Sequence, residues 1–174
     1  MLQPAPVQQY YNRYLTSGQN GMPATSTGWD IDTRICEDYS GNGIGFGLVV
    51  SQGLSTDRAA VLGAHGGTQA LGITVSDITL PNVVSPGPDR YQNTDNMAVA
   101  VRGDFWVTAA TNVTAGSPVY FDPSTGQLGD TGTLLEGAMW MTSATIGQLA
   151  FGAQTESPNL AVVRLALNTG NVNT

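Results

Sequence analysis

From about residue 36 onward, apolar side chains fall at every second position in short runs, and glycine, proline, asparagine or aspartate separates one run from the next. That period of two is the signature of strands with one buried face. Leu71, Ile73 and Val75 alternate with Gly72, Thr74 and Ser76. Met97, Val99 and Val101 alternate with Ala98, Ala100 and Arg102, and Phe105 and Val107 with Trp106 and Thr108. Ala161, Val163, Leu165 and Leu167 share one face of a closing strand, and Met139 to Met141 reads as a further short one. Gly43 to Val50 reads as a strand in which glycines alternate with Ile44, Phe46 and Leu48. Val119-Tyr120-Phe121 runs into Asp122-Pro123-Ser124-Thr125-Gly126 and then Gln127-Leu128. This is a hairpin, because Pro presets one turn dihedral and Gly supplies a positive φ. No segment holds the helical period over the 10–12 residues a convincing helix requires. Residues 82–90, with Pro86, Gly87 and Pro88, read as a loop. The expectation is an all-β fold, a small β-barrel or sandwich.

A chain of 174 residues suits one domain and can bury a core without disulfides. The 22 Gly and 9 Pro stay below the roughly 25–30% share that marks low-complexity chains, so the glycines read as turns and bulges. Residues 1–35 differ from the rest. They carry Pro4, Pro6, Pro23, several amides and the cluster Tyr10, Tyr11, Tyr14, Leu15, and neither the helical nor the strand period runs through them. They are expected to form an extended N-terminal arm ahead of a β-rich domain at 36–174. The tyrosines favour an arm that orders on a neighbour over a plain solubilising tail, since aromatic residues concentrate at interfaces.

The formal charge is −7, and all six bases are arginines. Six scattered arginines on an acidic chain make no cationic patch to displace phosphate counterions, so no direct nucleic-acid partner is expected. An anionic membrane surface is disfavoured likewise. Cys36 is alone, so no internal disulfide is possible. Folding in a reducing cytoplasm fits, and Met1 to Pro6 lacks the basic-then-apolar order of a secretory signal.

No constellation for chemistry assembles on paper. His65 with Cys36 could at most begin a nucleophile–base pair, and Ala64-His65-Gly66-Gly67 has no Gly-x-Ser-x-Gly elbow to accompany it. Gly41 to Gly47 resembles a phosphate loop, yet Phe46 stands where the dinucleotide fingerprint requires Gly, and there is no lysine for a P-loop. One His and one Cys do not build a typical zinc site. Asp30 and Asp32 are followed by Arg34, which departs from a calcium loop, and a surface turn is expected there. Arg102-Gly103-Asp104 spells an adhesion tripeptide between two strand patterns, where Gly103 permits a kink or turn. The expectation is a non-enzymatic protein without metal or cofactor, with Trp106 and Trp140 in the core or at a subunit interface.

The order of the blocks carries a resemblance. Gly43-Ile44-Gly45-Phe46-Gly47 precedes Leu71-Gly72-Ile73-Thr74-Val75. Then come Asp95-Asn96-Met97-Ala98-Val99, Arg102-Gly103-Asp104-Phe105-Trp106-Val107 and Val113-Thr114-Ala115-Gly116-Ser117-Pro118-Val119-Tyr120. Trp140-Met141-Thr142-Ser143-Ala144 and Ala161-Val162-Val163-Arg164-Leu165 close the series. Over roughly residues 36–167 this resembles the structural cement, or capsid decoration, proteins of tailed bacteriophages. The resemblance implies a β-tulip-like protein added to the outer surface of an icosahedral head, stabilising it by bridging major capsid protein subunits. A homotrimer is implied, with a dimer as the other choice. Tyr10, Tyr11, Tyr14, Leu15 and Trp29 are the expected capsid or subunit contacts. The rival readings are a host-adhesion or glycan-binding module on the virion, using Trp29, Tyr39 and Tyr91, and a small hydrolase using His65.

Overall fold

A computed structural model describes residues 19–25, 28–64, 69–76, 90–146 and 159–167. Eleven strands and no helix form among them: β1 (Asp30–Cys36), β2 (Ile44–Gly45), β3 (Val49–Gln52), β4 (Ala59–Leu62), β5 (Ala70–Thr74), β6 (Arg90–Tyr91), β7 (Asn96–Thr108), β8 (Pro118–Phe121), β9 (Leu128–Gly129), β10 (Thr133–Trp140) and β11 (Leu160–Ala166). Nine of them make one sheet in the order β1-β4-β3-β5-β7-β11-β10-β8-β9, and β2 pairs with β6 apart from it.

The sheet closes on itself because β1 also pairs with β7. Strands β1, β4, β3, β5 and β7 thus form a five-stranded barrel. The seam is antiparallel along Asp30–Ile35 against Asn96–Arg102, and parallel where Ile35 and Cys36 meet Ala59 and Ala60. Closure removes the exposed edges that would otherwise template aggregation. The remaining strands continue from the second half of β7, where β11 pairs from Leu160↔Thr108 to Ala166↔Arg102. A parallel bridge between Ala109 and Leu128 returns β9 to the end of β7. One 13-residue strand therefore serves both halves of the fold.

Neighbouring residues on a strand face opposite ways, and the core divides accordingly. Cys36, Val50, Ala60, Met97 and Val99 pack with Ile44 and Tyr91 in one buried cluster, joined by half-buried Leu62 and Leu71. These residues come from all five barrel strands and fill the barrel. Their chain neighbours Val49 and Ala100 belong to the larger cluster, with Ile73, Phe105, Val107, Val119, Phe121, Leu128, Leu135, Trp140, Val163 and Leu165. Tyr91 is fully buried, and its hydroxyl donates to the Val75 carbonyl at 2.7 Å. Phe46 meets its ring edge-on at 5.4 Å, a favoured aromatic geometry.

The two patterns expected as separate strands at 97–102 and 105–108 are one strand, kinked at Gly103 (φ 117°). A side chain there would run into Trp29, whose Cβ lies 2.6 Å from the position of an added Cβ. The continuous strand expected at 43–50 is broken: β2 ends at Gly45, and a turn through Gly47 (φ 68°) leads to β3. The boundary expected at residue 36 falls inside β1, and the surface turn expected at Asp30 and Asp32 is strand. Charge hid this strand. Asp32 and Arg34 form an ion pair at 2.8 Å on one face, and β1 stays half-exposed until Cys36. Residues 19–24 also belong to the folded unit. They lie along the second half of β7 as a strap, with Gly21 N donating to Trp106 O, Trp106 N to Met22 O and Ala24 N to Asp104 O, at 2.7–2.8 Å. Asn20 pins the strap, since its Nδ2 donates to Phe46 O and its Oδ1 accepts from Thr108 N. The arm expected at 1–35 thus gives up residues 19–24 and 30–35 to the domain, because their backbone groups find partners there.

Candidate interaction surface

The groups that could suggest chemistry are occupied by the fold. Cys36 is buried, and its thiol donates to the Tyr91 carbonyl at 3.6 Å. Burial first, then the charges of Asp38 and Asp95, push that thiol up to about 12, above the opposing effect of its bond at Ile44. A thiol so placed stays protonated and is a poor nucleophile. His65 lies outside the described residues. The Gly-rich turn carries its own anion: Asp38 accepts from Ser40 N at 2.9 Å, Ser40 Oγ at 2.7 Å and Gly43 N at 2.6 Å. Partial burial pushes the Asp38 carboxyl up, but these bonds outweigh it and hold it below its usual range. The amides that could cradle a phosphate already cradle Asp38.

Glu37 does the same for the neighbouring loop. Its carboxylate accepts from Leu54 N at 2.8 Å, Ser55 N at 3.2 Å and the Tyr39 hydroxyl. Asp104 of the adhesion-like tripeptide is held by Nε and Nη2 of Arg164, at 2.8 and 2.9 Å, across the β7–β11 register. Gly103 is packed under Trp29. The tripeptide is thus internal to a strand pair, and Asp104 is committed. Among the described residues no three His, Cys, Asp or Glu side chains gather to hold a metal ion.

What the surface does offer is apolar. Met22 on the strap and Trp29 above the β7 kink are exposed by 45% and 42%. Ile35, Tyr39 and Leu54 are exposed as well, the last two tied together through Glu37. Leu134 and Met139 stand out from β10. Beside Leu134 opens a cleft of about 630 Å³, lined by Gln69, Ala70, Phe121, Leu135, Glu136 and Leu167 among others. Of the expected contact residues, only Trp29 lies among the described residues; Tyr10, Tyr11, Tyr14 and Leu15 do not. Of the aromatics that would make a glycan groove, Tyr91 is in the core and unavailable. Trp140 is fully buried and Trp106 half-buried. Sequence reasoning missed Leu134, Met22 and the cleft, because an exposed apolar residue inside a strand pattern looks the same as a buried one.

The described residues thus form a closed, strapped β-domain that carries exposed apolar side chains on its strap and on β10. The chain matches the family described as structural cement protein (E217 gp24/Pam3 gp6) over residues 7–165. It belongs to that family of phage structural proteins, and its role is to stabilise the capsid. A similar fold occurs in "The capsid of Myoviridae Phage XM1", with 16% identity and a TM-score of 0.60, covering 91% of this chain and 98% of that one. The comparison with curated proteins returned no match.

Proposed function

We propose that this chain decorates the outer surface of an icosahedral bacteriophage head and stabilises it by bridging neighbouring major capsid protein subunits. The family match across 7–165 carries the reading. The charge distribution supports the outer face. All 13 acids and five of the six arginines follow residue 18, and no lysine is present to meet packaged DNA. The stabilisation needs no reaction. A ligand that binds the assembled lattice better than its separated parts favours the lattice by its binding free energy, and many copies on one shell act together. The committed states of Cys36, Asp38 and Asp104 support a purely structural role. Copies of this chain are also partners of one another in this reading, most naturally as a homotrimer on a three-fold lattice position.

A cryo-electron map of the virion tests this placement. Density fitting the two-part β-domain should lie on the outer shell, over the boundary between capsid subunits. Density on the inner face, or confined to the tail, would overturn it.

A further inference from the structure

We propose that the pole of the barrel built from residues 37–43, 53–58 and 92–95 grips a capsid subunit, with Tyr39 and Leu54 as anchors for an apolar pocket rimmed by basic side chains. The inference rests on the capsid-bridging reading and names a surface that would carry it. Tyr39 and Leu54 are exposed by 60% and 65%, more than any other large apolar side chain among the described residues. One carboxylate holds both. Glu37, itself buried, accepts from the Tyr39 hydroxyl on Oε1 and from the Leu54 amide on Oε2, the latter at 2.8 Å. The anchors belong to different loops and are fixed side by side through that one group. Gly53 makes room for it, because a side chain there would run into the Glu37 carboxylate.

The rest of the pole is held as firmly. Cys36 N donates to Asp95 O and Thr94 N to Cys36 O, both at 2.8 Å, and Glu37 N donates to Ala60 O at 2.9 Å. Asp38 N donates to Asn93 Oδ1 at 3.1 Å, which ties the first loop to the third. Thr94 keeps a φ of 74° in that turn, a region that β-branched residues avoid. Such strain persists only where the surroundings fix it, and it collects at contact and ligand sites. Side chains on mobile tips lose freedom when they bind. Anchors set in place beforehand lose little, so more of their contact energy appears as affinity. Tyrosine is among the residues that most often anchor interfaces.

Charge and position select the partner. The three loops hold Glu37, Asp38, Asp57 and Asp95 against Arg58, and Arg90 beside Asn42 still leaves the pole net acidic. Arg34, which reaches the Asp57 carbonyl, is already paired with Asp32. A second copy of this chain, with a charge of −7, would meet the pole with like charge. A nucleic-acid backbone is turned away in the same manner. The fitting partner is a protein pocket that is apolar at its floor and carries lysine or arginine at its rim. The position suits a bridge. From this pole, at Asn96, β7 runs up to about 40 Å to Thr108 in the other half of the fold. Contacts at the pole and on the β7–β11 half lie well apart, as a link between two subunits requires.

Co-sedimentation of the full-length chain with undecorated heads tests this. The double variant Tyr39→Ala, Leu54→Ala should keep its circular dichroism spectrum and melt within a few degrees of the unchanged chain, because both side chains face solvent. Its binding to heads should fall at least about a hundredfold. Leu54→Arg is the second, independent variant. It leaves the backbone bond to Glu37 in place, and it should bind more weakly than Leu54→Glu, since a basic rim repels the added cation. Binding of the unchanged chain should weaken as salt rises. A folded double variant that binds within about twofold of the unchanged chain overturns the inference and leaves the capsid reading standing. Leu54→Arg binding as well as Leu54→Glu overturns the basic rim. A double variant that loads normally on heads but no longer binds host-surface glycan assigns the pole to adhesion and overturns the inference as well. If the unchanged chain does not bind heads at all, the capsid reading falls, and this inference falls with it.

Discussion

A chain lacking residues 1–18 is expected to fold normally and to lose its hold on phage heads. Among the described residues, the eleven strands and the two buried clusters hold together after that point, and the strap bonds begin at Asn20 and Gly21. The domain should melt within a few degrees of the full chain. What the truncation removes is the acid-free segment with three tyrosines and Leu15. Buried aromatic anchors carry most of the energy in typical interfaces, at about 2 kcal/mol or more each. Losing several should weaken head binding by at least about a hundredfold. Co-sedimentation of purified chain with undecorated heads measures it. Normal loading by the truncated chain would remove the arm from the account.

Gly72→Val is expected to lower the melting temperature by about 6–12 °C. Gly72 sits in β5 beside the β7 backbone, and an added Cβ would fall on the Ala100 carbonyl and 2.7 Å from Val99 Cγ1. The need is for space, since its φ is not in the left-handed region. Those atoms belong to the strand shared by both halves of the fold, so they cannot move without opening the barrel at Ile73↔Ala100 and Thr74↔Val99. Overpacking of this kind costs about 3 kcal/mol, and each kcal/mol shifts a domain of this size by about 2–4 °C. Gly116→Asn is the contrast. Gly116 has a positive φ, which Asn tolerates, and open space around its Cβ position. Thermal melts of both variants separate the two demands.

Much of the fold was legible because its signals are local. The β8–β9 hairpin follows from Pro123 and Gly126 alone, and β5 and β11 from plain alternation. The misses share a physical cause. Strand β4, Ala-Ala-Val-Leu, is buried on both faces at its start and so does not alternate. β1 carries an ion pair where a buried face was sought. The strap is fixed by Asn20 reaching Phe46 and Thr108, partners 26 and 88 residues away, and no local pattern encodes that. The break at Gly47 is part of the same contact, because a side chain there would occupy the space of the Asn20 amide. For the site, the tyrosine cluster was visible as composition. The cleft was not, since its walls come from β5, β8, β10 and β11 and exist only after closure.

The most direct test of the central claim compares DNA release on heating from otherwise identical heads assembled with and without this chain. Heads without it should open at a distinctly lower temperature, and adding the purified chain back should restore the higher one. Superimposable release curves for the two kinds of head would contradict a stabilising role.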